Sequence, residues 1–235
     1  MNDAPTISIF TCSYNKPKYV AEAMQSVLNQ TFSDFEYFIL ENSTDGITRN
    51  IVHNIKDPRI KIFDEDIGPQ DRRKTYPESY LKNKYFPLAS GRYIMTLSDD
   101  DLLMPNCFEE HIKEFNTGKN KRANFHAVRV VHLNGKVPEN ILPANRIFGG
   151  GRDPNTRIDG GAIMFEKSLL EDLKHLTLPL KSGAAYPPFR GIWNMAHISD
   201  GIFIRHLSLL TNIYPINKVL HIKRHTQEST FNRNK

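Results

Sequence analysis

Ser98-Asp99-Asp100-Asp101 ends the apolar run Tyr93-Ile94-Met95-Thr96-Leu97. A short hydrophobic segment that stops on clustered carboxylates reads as a buried strand delivering acids to a sheet edge. Three adjacent carboxylates repel one another and resist burial unless a cation compensates them. A hard divalent ion meets that need, because Mg²⁺ and Mn²⁺ prefer oxygen ligands and bring a nucleotide diphosphate with them. Read in isolation, the segment also fits a solvated loop whose last Asp caps a helix beginning near Pro105.

For these acids to face a ligand, the surrounding elements must bring several loops to one edge. The first half of the chain alternates strand and helix patterns. Ile7–Phe10, Phe35–Leu40, Arg59–Phe63 and Tyr93–Leu97 read as strands. Between them, Pro17 opens a helix with Tyr19, Val20, Ala23, Met24, Val27 and Leu28 on one face. Ile47–Ile55 and Tyr80–Leu88 read as further helices, the latter bent or ended by Pro87. Alternation of this kind predicts a mostly parallel sheet covered on both faces, with ligands at the carboxyl ends of its strands. The second half is less regular. Helices are expected at Pro105–Phe115, Lys167–His175 and Ser199–Leu210, and extended chain at Phe125–Leu133, Ile163–Phe165 and Ile213–Ile222. Leu133–Arg157, with Gly149-Gly150-Gly151 at its centre, reads as a mobile loop.

Composition narrows the class. The 235 residues are 39% hydrophobic and 24% charged, ordinary for a globular protein with one sizeable core. A net charge of +5 and a pI near 9.1 suit an acidic partner. No basic stripe interleaved with aromatics is present, so nucleic acid is set aside. The densest basic group is Lys218, Lys223, Arg224 and His225, a solvated surface or a region of peripheral membrane attraction. Cys12 and Cys107 lie far apart without metal spacing and fit reduced thiols. The opening residues show no signal-peptide pattern and no apolar run approaches bilayer length, so a cytoplasmic location is expected.

Three stretches carry a family likeness. They are Ile7 to Pro17, with Thr11-Cys12-Ser13-Tyr14-Asn15 at its centre; Ser26 to Glu36, with Gln30-Thr31-Phe32; and Gly91-Arg92-Tyr93-Ile94 leading to Ser98-Asp99-Asp100-Asp101 and Met104-Pro105. In this order they resemble the family 2 glycosyltransferases with the GT-A fold, densely over residues 5–116 and more thinly to about residue 205. The resemblance implies an α/β, Rossmann-like single domain over 1–235, with a nucleotide-binding half to about residue 104 and an acceptor half beyond it.

It also implies roles. Thr11, Cys12 and Tyr14 would line the nucleotide, Tyr14 stacking on a uracil-type base, although an aromatic at a strand end also suits the core. Glu41 and Asn42 stand where the family usually carries two Asp; Asn42 is neutral and can donate, which unsettles base preference, and it also suits a turn. Arg72 matches a basic nucleotide contact, with Arg73 adjacent. Asp99 would accept from the ribose, Asp100 would bind Mn²⁺ or Mg²⁺, and Asp101 would orient the motif or cap the next element.

Inverting sugar transfer further needs a base for the acceptor hydroxyl. Asp200 fits the family position, although Asp at a helix start is also a common cap; Asp159 is the second candidate, facing acceptor or sugar. Trp193 is a sugar platform or a core aromatic, and His225 a metal or phosphate ligand or a solvated side chain. The implied partners are a UDP- or dTDP-sugar and a glycan, lipid-linked or protein acceptor. A sugar-nucleotide-binding protein without catalysis is the alternative. A phosphotransferase of the Asp-x-Asp type is disfavoured, because its nucleophile follows the first strand and these acids follow the fourth.

Overall fold

The computed structural model describes residues 4–68, 77–118, 120–133, 137–150, 157–174 and 200–226, with backbone alone at 174 and 200–202. The strands are β1 (Ile7–Ser13), β2 (Phe35–Glu41), β3 (Ile60–Asp64), β4 (Tyr93–Thr96), β5 (Leu102–Leu103), β6 (Ala123–His132), β7 (Asn140–Leu142), β8 (Ile163–Glu166) and β9 (Ile213–His225). The helices are α1 (Val20–Leu28), α2 (Gly46–Asn54), α3 (Pro77–Tyr85), α4 (Cys107–Asn116), α5 (Leu169–Lys174) and α6 (Asp200–Leu210). Among the described residues one sheet runs β3-β2-β1-β4-β8-β6-β9-β5, with β7 added to β6. Pairing is parallel through β3, β2, β1 and β4, reverses on either side of β8, and is parallel again between β6 and β9.

Period-two alternation sorts side chains to the two faces of this sheet. Ile7 and Ile9 of β1, Tyr37 and Ile39 of β2 and Met95 of β4 bury against Val20, Met24 and Val27 of α1 and Phe108 and Phe115 of α4. Phe10, Phe38, Ile94, Phe125 and Phe165 face the other way, onto Leu81 and Tyr85 of α3, Leu170 and Leu173 of α5, and Phe203 and Leu207 of α6. Each such buried side chain contributes about 1.5–3 kcal/mol relative to exposure. This is the expected α/β, GT-A architecture, with helices on both faces.

Local chemistry explains the element boundaries. Asp45 caps α2, accepting from Thr48 N at 2.5 Å. Pro87 ends α3 as expected, the chain tightening into a 3₁₀ turn over Phe86–Leu88. Gly91 is required by close approach: a Cβ there would lie 2.6 Å from Ser8 N.

One expectation is corrected and one element is added. The stretch from Leu133 is not simply a loop: β7 pairs with β6, and Phe148 and Ile213 exchange main-chain bonds of 3.1 and 2.7 Å. The glycines masked this order, since a Cβ on Gly149 would collide with the Asn212 side chain. Strand β5 escaped notice because two residues carry no periodicity.

Candidate functional site

The carboxyl ends of β1, β2 and β4 meet at one edge of the sheet, and the acids after β4 lie there. Asp99 and Asp100 converge on one cation, the Lys16 ammonium, at 3.0 Å and 2.7 Å. Lys16 follows β1, so the two neighbouring strand ends supply opposite charges. Asp99 also accepts from Tyr14 N at 2.7 Å. Burial raises the Asp99 carboxyl to about 6, with Asp100 adding to the rise and Lys16 and the Tyr14 amide opposing it. Burial alone would lower the Lys16 ammonium, but Asp99 and Asp100 outweigh it and raise it.

The second half of the chain fixes this loop. Asp101 accepts from Arg224 N at 2.8 Å, and its other oxygen lies 3.1 Å from His221 Nε2, both partners on β9. The Arg224 guanidinium donates to the Asp100 carbonyl and pairs with Glu22 of α1. Asp101 therefore orients the acidic motif and caps no helix; α4 begins after Asn106 without a side-chain cap. Gln30 secures the far side of the loop. Its amide donates to Met104 O at 2.8 Å and its carbonyl accepts from Phe108 N at 3.0 Å. Thr31 N donates to Pro105 O at 2.8 Å. The Gln30-Thr31 signature is thus a brace that ties α1 to the chain leaving the acids.

The loops after β1 and β2 are cross-tied. Asn15, at φ +50°, accepts from Thr44 N at 2.8 Å and from Asp45 N at 3.1 Å. Asn tolerates this left-handed backbone better than most residues. Glu41 is fully buried; its Oε1 accepts from Ser43 N at 2.6 Å, and its Oε2 has no partner among the described residues. Ser13 Oγ, beside it in the β1–β2 register, is buried and likewise unpartnered among them. Two unfilled polar atoms at a strand edge suit a polar ligand.

Asn42 donates its amide to Ser13 O at 2.8 Å, which an ionised Asp cannot do. This bond suits the turn role and leaves the nucleotide role of Asn42 a matter for its remaining amide oxygen. Thr11 turns into the interior, its hydroxyl 2.9 Å from that of Tyr37, and Cys12 packs against the α3 side of the core.

Of the acceptor-half candidates, Asp159 is held rather than free to act. It accepts from Gly161 N at 3.0 Å and pairs with Lys223. Burial would raise its carboxyl, but Lys223 and His221 outweigh it and bring it below the usual range. The His225 ring lies tilted at 38° against His132 with centroids 4.6 Å apart; burial, with His132 and Lys223, holds it below the usual imidazole range against the opposing pull of Asp101 and Asp100. Asp200 is the first residue of α6. Arg72 and Trp193 lie outside the described residues. Arg224 and Lys223, expected on a solvated or membrane-facing surface, are instead tied to Asp101 and Asp159, while the sequence assigned no role to Lys16, Asn15 or His221. The one local signal was the cation two residues beyond Tyr14.

A sheet whose parallel strands bring a pair of acids and a cation to their carboxyl ends is an α/β ligand-binding scaffold. The profile of glycosyl transferase family 2 matches residues 8–173, and the chain belongs to that family. It is 31% identical over 225 residues to protein CgeD of Bacillus subtilis, covering 95% of this chain and 51% of that protein. It is 28% identical over 116 residues to the GalNAc(5)-diNAcBac-PP-undecaprenol beta-1,3-glucosyltransferase of Campylobacter jejuni, 48% of this chain and 36% of that one. The chain thus spans about half or less of these relatives' lengths. Among solved structures, S. aureus TarS 1-349 in complex with UDP-GlcNAc superposes with a TM-score of 0.64 at 14% identity, over 95% of this chain and 60% of that one. The mannosyltransferase PcManGT of Pyrobaculum calidifontis, in complex with GDP-Man and Mn²⁺, gives 0.58 at 14%, over 97% and 59%. No helix among the described residues is long and apolar enough to cross a membrane.

Proposed function

We propose that this chain is an inverting glycosyltransferase that moves a sugar from a nucleotide diphosphate sugar to a hydroxyl acceptor with the aid of Mn²⁺ or Mg²⁺. The observation that carries this reading is the convergence of Asp99 and Asp100 on one cationic point beside the ends of β1 and β4. The oxygen-only donor set fits a hard divalent ion, and Lys16 already occupies the place of a positive charge. Asp100 and Asp99 would hold that ion. When bound it would act as a Lewis acid on the departing diphosphate.

Glu41 Oε2 and Ser13 Oγ offer an acceptor and a hydroxyl to base or ribose, while Asn42 serves the turn. Relatives that bind UDP, UDP-GlcNAc or GDP-Man support a nucleotide-sugar donor, with UDP- or dTDP-sugars favoured by the Tyr14 loop. A relative named for an undecaprenol-linked glycan supports a lipid-linked glycan among the acceptor classes. Asp200 is assigned as the base, because Asp159 is tied to Lys223 and made more acidic, which weakens it as a proton acceptor.

The direct test is calorimetric titration of UDP with and without Mn²⁺. Asp100→Ala should remove the Mn²⁺-dependent gain in affinity, about 10- to 100-fold for a charge-assisted contact, with the fold unchanged. An undiminished gain would reject the site.

A further inference from the structure

We infer that Cys107, His111 and His126 form a second metal site, buried in the core beneath the acidic loop and suited to a thiophilic transition ion, zinc first. Cys107 and His111 are one helical turn apart on α4, so both face the sheet. His126 on β6 meets them there. One donor atom from each lies within 4.8 Å of the others, and all three residues are buried. Zinc bonds of about 2.0–2.1 Å to nitrogen and 2.3 Å to sulfur place tetrahedral ligand atoms roughly 3.3–3.8 Å apart. Here Cys107 Sγ is 3.8 Å from His126 Nδ1, and His111 Nε2 is 2.7 Å from the same atom. The first of these already fits, and the two nitrogens would have to part to about 3.3 Å for an ion to lie between them.

The proton inventory points the same way. Asn124 Nδ2 donates to the His111 carbonyl at 3.0 Å, which turns Asn124 Oδ1 toward His111 Nδ1. An amide oxygen only accepts, so His111 carries its proton on Nδ1 and a lone pair on Nε2. A hydrogen-bonded partner of that fixed kind is what orients ligating histidines. Without a metal, His126 must then donate from Nδ1, and its Nε2 is left as a buried acceptor with no partner among the described residues.

The neighbouring ring, His221, has the same defect. Its Nε2 faces Asp101, and its Nδ1 is buried without a partner among the described residues. The two rings lie 5.9 Å apart, edge to face at 78°. An ion on Cys107 Sγ, His111 Nε2 and His126 Nδ1 changes this account. The His126 proton moves to Nε2, so that buried nitrogen turns from an acceptor into a donor. The thiol proton leaves to solvent as the metal–sulfur bond forms, so loading releases one proton. His221, in edge contact with His126 and with its Nε2 facing Asp101, places the core site one ring away from the buried acidic loop.

The donor set separates this site from the first. Sulfur and imidazole select zinc and its neighbours, whereas Asp99 and Asp100 select Mg²⁺ or Mn²⁺. Because the site is buried, the ion would enter as the chain folds and exchange slowly. The test is elemental analysis of protein purified without chelator, together with refolding in Co²⁺. About one zinc per chain is expected, and Co²⁺-refolded protein should show sulfur-to-cobalt charge transfer. Cys107→Ala should abolish that band and the bound zinc while Mn²⁺-dependent UDP binding persists, which separates this site from the proposed donor site. A natively folded protein with less than about a tenth of an ion per chain and no charge-transfer band would overturn the inference.

Discussion

The two halves of the chain build the same crevice by different means. In the first half, each polar side chain at the edge comes from the end of a parallel strand or the loop just after it: Lys16 after β1, Glu41 ending β2, Asp99 and Asp100 after β4. In the second half the contributors come from β9, whose His221 and Arg224 reach back 120 and 123 residues to Asp101. The first half therefore presents chemistry, and the second half holds it in place. Parallel strands deliver ligands locally; a long partner strand supplies alignment.

Substitutions in each half should separate presenting from holding. The largest effect is expected where the second half departs from its holding role. Asp200→Asn should lower kcat by about 10²–10⁴-fold with donor affinity little changed, measured with acceptor or by donor hydrolysis. Full turnover in this variant, with loss in Asp159→Asn, would return the base to Asp159. Next, Asp101→Ala strips the acceptor from Arg224 N and from His221. It should reduce unfolding stability by about 3 kcal/mol in denaturant titration, which tests whether β9 anchors the acids.

A first-half change at Asn42 should be milder. Asn42→Asp sets a carboxylate against Ser13 O and should cost about 1–2 kcal/mol by the same titration, without sharpening selection among UDP, GDP and CDP. Equal stability would show that the amide bond is dispensable. The smallest effect is protonic. With Asp99 raised to about 6, a proton competes there with any cation as pH falls through that value. Mn²⁺-linked UDP affinity should be flat above it, about twofold weaker at the midpoint and about tenfold weaker one unit lower. A flat profile through this range would mean that Asp99 does not contribute.

The same contrast explains what the sequence disclosed. The acids after Leu97, the strand alternation and the Gln30-Thr31 signature were legible because each is written within a few residues. The braces made by Gln30 show that part of a recognisable motif serves architecture. Lys16 was passed over because a lone lysine in a polar loop is indistinguishable from a solvated one until the neighbouring strand is placed. His221 and Arg224 were hidden by distance along the chain. The Cys107, His111 and His126 cluster was hidden because the spacing between cysteines carries no sign of histidine partners, one of which lies on a different element. Asp159 was found, but its lysine on β9 was not, so its local setting suggested an open role.

The pairing of β6 with β9 slips twice, between His126 and Ala127 and between Ala127 and Val128, so the strand beyond Ile216 runs in a shifted phase. That phase decides which way His221, Lys223, Arg224 and His225 point. In a period-two element, one residue more or fewer turns every later side chain to the opposite face. The few residues around Asn217 and Lys218 thus act as a counting device: their number matters more than their identity. Substitutions there should pass unnoticed, whereas a single deletion would release Asp101 and Asp159 together, although neither residue had been altered.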